Sequence, residues 1–264
     1  MSPSWNSRPL SLYRVHLAAD ALTVCEVHTR RNSRRVVRKA LFPFAAPAER
    51  PTAMQSMREW MGDAPRGTSQ EWVLGIADVR YQLLPWVPDL ADQALRSAFA
   101  AASFELQFKQ DPTLYAIRFA TPTYGSAQLA AFVPHSLLAE LEAHAEVSKI
   151  RLRSIAPALA VVWDRFRTVL QKERGAVHMV DGDRQIVVRH AQGQMTDVLL
   201  RPFDTASWET APLVHETETH GSARIFSASP LPHGSTDMAL SLVDGEGFLS
   251  KQDASYAFAL CGVF

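Results

Sequence analysis

The feature that most constrains this chain is a pair of closely linked, alternating runs, one near each end. Ser11–Leu17, Leu22–Thr29 and Val36–Phe44 each alternate apolar with polar residues, and the links between them, Ala18–Ala21 and Arg30–Arg35, are short. Period-two alternation puts one set of side chains on each face of a sheet, and short links force neighbouring strands to run antiparallel, so the three runs predict a meander. Gly175–Val180, Gln185–His190 and Thr196–Arg201 predict a second one, with turns at Asp181-Gly182-Asp183 and Gln192-Gly193. The chain has no low-complexity tract and no repeat of 20–50 residues, so the two meanders are its one sign of duplication.

Between the meanders the periodicity changes. Thr52–Met61 carries Met54, Met57 and Met61 at helical spacing. Glu71–Ile76 and Val79–Trp86 read as extended. Asp89–Ser103 predicts a helix with Leu90, Ala94, Leu95, Ala98 and Ala102 turned inward. A hairpin follows, Leu114–Ala120 and Ala127–Val133 around a turn at Pro122–Gly125. His135–Ser148 predicts a helix burying Leu137, Leu138, Leu141 and Ala145. Ile150–Ala156 predicts a strand, and Pro157 opens a helix to Leu170, a position where proline is favourable. Past the second meander the expectation is a helix over Ala206–Glu216 and strands at Ser222–Ala228 and Ser255–Val263.

The middle of the chain runs VRYQLLPWVPDLADQALRSAF, then YAIRFATPTYGSAQLAAFVP, then HSLLAELEAHAEVSKIRLRSIAPALAVVWDRF. This order, set between two meanders, resembles PilM, the cytoplasmic actin-like protein of type IV pilus assembly, and the cytoplasmic domain of GspL from type II secretion. The resemblance spans about residues 10–205. It implies an α/β protein with a degenerate actin-like (ribonuclease-H-like) core of mixed sheets and an inserted α+β subdomain. The implied division is 1–77 and 156–264 for the two parts of the core and 78–155 for the insert.

Actin-like ATPases place Asp-x-Gly in the turn after the first strand. The carboxylate orients the metal and its water, and the glycine lets backbone N–H groups approach the phosphates. Here His16 stands in place of the aspartate and Ala18 in place of the glycine, while Asp20 reads as an ordinary turn residue. Asp181-Gly182 is a pair that hairpin turns favour for backbone geometry alone. The adenosine-side Gly-Gly segment has no counterpart near the C-terminus. No catalytic residue, cofactor ligand or metal ligand is therefore assigned. His215 and His220 are five apart, about 140° around a helix, which does not aim both rings at one ion.

The 27 basic side chains balance the 27 acidic ones, which counts against a nucleic-acid backbone as main ligand. Arg30, Arg31, Arg34, Arg35, Arg38 and Lys39 form the one dense charge run. A solvated hairpin tip accounts for it; the functional alternative is a patch for anionic lipid or an acidic partner segment. Cys25 and Cys261 read as buried, reduced thiols of the cytoplasm, and Trp72, Trp86 and Trp163 as core. No apolar run is long enough to span a bilayer, and the N-terminus does not read as a signal peptide.

The resemblance implies a non-catalytic cytoplasmic scaffold of a pilus or type II secretion-like assembly, bound to the inner membrane through a partner. Its partner would be a protein whose extended tail enters a cleft with the insert as one wall and the first meander as the other. Two other classes stay open: an actin-like ATPase with atypical phosphate contacts, and an adaptor using Arg30–Lys39 on anionic lipid or nucleic acid. No nucleic-acid partner is expected.

Overall fold

The first strand carries apolar residues on one face and Arg14 and His16 on the other, and both faces are buried, which makes it central to a sheet. The computed structural model describes residues 10–30, 33–65, 67–121, 123–203, 222–228 and 238–263. Strands β1 (Leu10–Leu17), β2 (Ala21–Arg30) and β3 (Ser33–Pro43) form the first meander. Helix α1 (Arg50–Met61) follows and leads into β4 (Ser69–Leu74), which pairs parallel with β1. Met54, Met57 and Met61 of α1 are buried as expected. Gly62, at φ 60°, ends the helix by donating its N–H to the Arg58 carbonyl.

The chain then leaves this sheet. β5 (Arg80–Leu84), α2 (Gln93–Phe108), β6 (Tyr115–Phe119) and β7 (Gln128–Pro134) build a three-stranded antiparallel sheet of order β5-β7-β6 with one helix on it. Asp92 caps α2 by accepting the Leu95 N–H at 2.9 Å. Phe104 of α2 stacks on Phe132 of β7 at 4.4 Å, and Ala100 lies beside it, both fully buried. This corrects the sequence expectation. The face with Ala94, Leu95, Ala98 and Ala102 points to solvent, because the aromatic Phe104 contributes more buried area than that aliphatic face.

Helix α3 (His135–Val147) returns the chain to the first sheet at β8 (Arg151–Pro157). β8 pairs parallel with β4, giving a five-stranded sheet of order β3-β2-β1-β4-β8. The three-stranded sheet thus draws on residues 80–134 alone, and β8, which straddles the end of the expected insert of 78–155, belongs to the five-stranded sheet. Pro157 precedes α4 (Ala158–Leu170), whose buried residues Leu159, Val162, Phe166 and Leu170 recur at helical spacing.

α4 leads to the second meander, β9 (Arg174–Asp181), β10 (Arg184–Ala191) and β11 (Gln194–Pro202). β12 (Ser222–Ser227) pairs parallel with β9, so this sheet has the order β11-β10-β9-β12. Both sheets repeat one plan, a meander whose first strand takes a later parallel neighbour. Phe166 of α4 meets Phe226 of β12 at 5.7 Å, and Trp163 meets His190 of β10 at 5.7 Å, so α4 ties the second sheet to the first.

The expected strand over Ser255–Val263 is instead a 3-10 turn at Ala254–Tyr256 and a short helix, α5 (Ala257–Leu260). All four residues of α5 are buried, and a short run apolar on every side fits a buried helical turn as well as a strand. Arg14 fixes this segment: its Nε donates to the Ala259 carbonyl at 2.9 Å and its Nη2 to the Cys261 carbonyl at 2.6 Å.

Candidate functional site

The two meander turns meet at a seam between the sheets. Ala18 closes the β1–β2 turn by donating its N–H to the Ala21 carbonyl at 2.9 Å. Across from it, Asp181 ends β9 with its carboxylate buried; Oδ2 accepts the Ile76 N–H at 3.2 Å and lies 3.4 Å from His16 Nε2. The His16 ring stacks on Phe258 of α5 at 4.8 Å. Gly75 donates to the Leu17 carbonyl at 2.8 Å, and a side chain there would overlap both that carbonyl and the Asp181 carboxylate. At Gly182 a Cβ would stand 3.9 Å from Ala19 Cβ and from Asp20 Oδ1, so the two turns face each other with room for about one β-carbon between them. The seam therefore holds a protein carboxylate, and the backbone N–H groups of Ala18, Gly75 and Ile76 are already engaged there.

A groove of about 350 Å³ lies elsewhere, between the insert sheet and the outer strand of the core sheet. Its apolar floor includes Leu74, Val133, Leu138 and Ile155, and Arg118, Glu142 and Arg153 stand along it. β8 pairs with β4 on one side and β6 with β7 on one side, so each is the edge of its sheet and both line the groove. Residue Arg153 sits at a register shift in β8 and reaches Glu71 at 3.4 Å. The wall facing the insert is β8 and α3, where the sequence suggested the first meander.

The chain matches no protein-family model. It matches no curated protein. Solved structures do resemble it. One is the cytoplasmic domain of EpsL, an inner-membrane component of the type II secretion system of Vibrio cholerae, at TM-score 0.59 and 12% identity, covering 96% of this chain and 99% of that one. A chain of the PilM–PilN type IV pilus biogenesis complex aligns at TM-score 0.60 and 12% identity, covering 96% of each. A Bacteroides thetaiotaomicron protein of actin-like ATPase fold and unknown function aligns at TM-score 0.57 and 7% identity, covering 99% of this chain and all (100%) of that one. The fold is actin-like. At these identities the likeness is one of fold, and the chemistry has to be read from the residues.

In an actin-like fold the turn after β1 is where a nucleotide-binding relative carries its Asp-x-Gly. The structure puts His16 and Ala18 there, His16 facing inward at 1% exposure. Among the described residues no group of three His, Cys, Asp or Glu side chains is placed to hold a metal. His215 and His220 lie outside the described residues. Cys25 and Cys261 are buried free thiols; burial pushes Cys25 strongly upward and Cys261 up to about 12, so neither is a nucleophile at neutral pH.

The cationic run is largely engaged within the chain. Arg31 lies outside the described residues, and of Arg30 only the backbone at the end of β2 is described. Arg34 donates to the Val263 carbonyl at 2.5 Å. Arg35 pairs with Glu246 at 3.2 Å, Arg38 with Glu26 at 2.7 Å, and Lys39 with Asp253 at 2.7 Å. Arg38 also stacks over Trp60, its guanidinium carbon 4.4 Å from the ring centroid. The Arg34, Arg35 and Lys39 contacts bind residues 246–263 to β3 and cover part of an open sheet edge, since Val36 donates to the Glu246 carbonyl at 2.8 Å.

Trp72 is core as expected, edge-on to His144 of α3. Trp86 is not: it is 39% exposed and meets Tyr124 at 4.9 Å on the insert surface. Sequence reasoning missed the Asp181–His16 contact and the role of Gly75. Nothing local marks either one, because the contact joins residues 165 positions apart.

Proposed function

We propose that this chain is a non-catalytic scaffold of an inner-membrane assembly of the type IV pilus or type II secretion kind. In this reading, the groove between β8 and β6 takes an extended tail from a membrane-anchored partner. The observation that carries the reading is the pair of open strand edges flanking one apolar groove. An extended peptide finds backbone N–H and C=O groups on such an edge and pockets for alternate side chains on the floor. The neighbours support the context, since one is a component of a secretion system and the other comes from a pilus biogenesis complex. The filled seam argues against the ATPase alternative, because Asp181 stands where a phosphate would need backbone donors. No helix among the described residues is long and apolar enough to cross a membrane, which fits attachment through a partner.

The test is site-specific photo-crosslinking in cells. A photoreactive residue at Arg153, exposed on β8, is expected to give an adduct with an integral membrane protein. The same residue at Glu59, exposed on α1, is expected to give none. Equal adducts from both positions, or none from Arg153, would reject the groove.

A further inference from the structure

We propose that Asp181 is a built-in clamp that fixes how the five-stranded and four-stranded sheets sit against each other, with no ligand between them. Two kinds of contact join the sheets. The first kind is apolar. Phe258 lies between His16 of β1 and Phe226 of β12, and Phe226 also meets Phe166 of α4. Such contacts hold the sheets together, but they are non-directional, so they resist separation more than a small slide or rotation. The second kind is directional. It comes from Asp181, the last residue of β9.

Asp181 bounds the setting from both sides. Its Oδ2 accepts the Ile76 N–H at 3.2 Å, and Ile76 follows β4 by two residues, so a side chain of the second sheet ties down the first. A shift of about 1 Å apart would stretch this bond beyond hydrogen-bonding range without making room for a water to replace it. The N–H and the carboxylate would then be buried without each other, and Ile76 is fully buried and Asp181 only 2% exposed. Leaving such groups unpaired is costly. Movement the other way is blocked at Gly75. A β-carbon there would stand only 2.5 Å from Asp181 Oδ2, so the carboxylate already rests on bare backbone. Tether and stop thus act on the same oxygen. His16 adds a third support, its Nε2 3.4 Å from that oxygen and its ring held against Phe258. A buried carboxylate adds little net stability even when it is paired. Its effect here is to penalise every other setting of the two sheets.

The test has two arms, both on the full chain. In the unmodified protein the Ile76 amide is bonded to a side chain of the other sheet rather than to a strand ladder, so its hydrogen exchange reports the clamp. It is expected to exchange within about tenfold of the slow, paired amides of β4; exchange faster than that would show the sheets parting at the seam and overturns the proposal. The second arm reads the distance between the two sides by pulsed dipolar spectroscopy. Spin labels are placed at Glu59→Cys on α1 and Thr196→Cys on β11, both exposed, while Cys25 and Cys261 are fully buried and stay unlabelled. With Asp181→Ala added, the distance distribution is expected to broaden. Sodium formate, a carboxylate that fits the vacated space, is expected to narrow it again, and sodium chloride at the same ionic strength is not. An unchanged distribution in folded Asp181→Ala overturns the proposal. So does a broadening that formate leaves in place, because that would report damaged packing instead of a lost acceptor. The exchange arm needs no variant and decides the matter if Asp181→Ala does not fold.

Discussion

At Gly75 the backbone runs against the Leu17 carbonyl and the Asp181 carboxylate, leaving no space for a β-carbon. Gly75→Ala is therefore expected to push the two sheets apart at the seam and lower stability by about 1–3 kcal/mol, measurable as a shift in the urea midpoint with the slope preserved. His144 gives a second residue-scale prediction. Burial against Trp72, with the nearby Arg58 charge adding to it, holds its pKa down to about 4. The folded protein thus keeps this ring neutral, while the unfolded chain takes up a proton near 6.5, the ordinary histidine value. Its contribution is complete above about pH 6.5 and is lost as the pH falls toward 4, amounting to on the order of 2 kcal/mol. His190 is lowered in the same direction by burial, so His144→Gln is expected to flatten the acid limb of a stability–pH profile only in part. Neither effect was legible in the sequence. His144 looks like any polar residue on a helix, and Gly75 like an ordinary strand end, until β9 brings Asp181 beside it. The substitutions at His16 and Ala18 were legible, because the resemblance names the positions where they stand.

At the scale of elements, α5 is the part that sequence patterning misassigned and that packing explains. Phe258 is fully buried between His16 of β1 and Phe226 of β12, at 4.8 and 4.9 Å, so one side chain touches both sheets. Phe258→Ala is expected to lower stability by about 3–5 kcal/mol in urea denaturation, as large buried aromatics do. A loss below about 1 kcal/mol would mean that the two sheets are held together elsewhere. The meanders, α1, α3 and α4 were legible because each has a clean period and a polar face. The period of α2 was legible too, but its inward face was not, since the helix has two apolar sides and only the insert sheet decides between them. The arginine run was legible as a charge cluster on β3, yet its partners Glu246 and Asp253 come from the far end of the chain.

For the molecule as a whole, the repeated sheet plan and the likeness to EpsL and to a chain of the PilM–PilN complex agree on an actin-like fold. The proposed function divides two places in that fold. The seam, where a nucleotide-binding relative holds phosphate, carries the Asp181 carboxylate, and the groove between the open edges of β8 and β6 is the proposed seat of a partner. The measurement that tests this most directly is the melting curve of the full chain with and without magnesium and ATP. A ligand at 100 times its dissociation constant adds about 2.7 kcal/mol, which for a chain of this size raises the melting temperature by roughly 5 °C or more. The expected result is two superimposable curves; a reproducible rise of that size would show that the seam opens to nucleotide and would contradict the account.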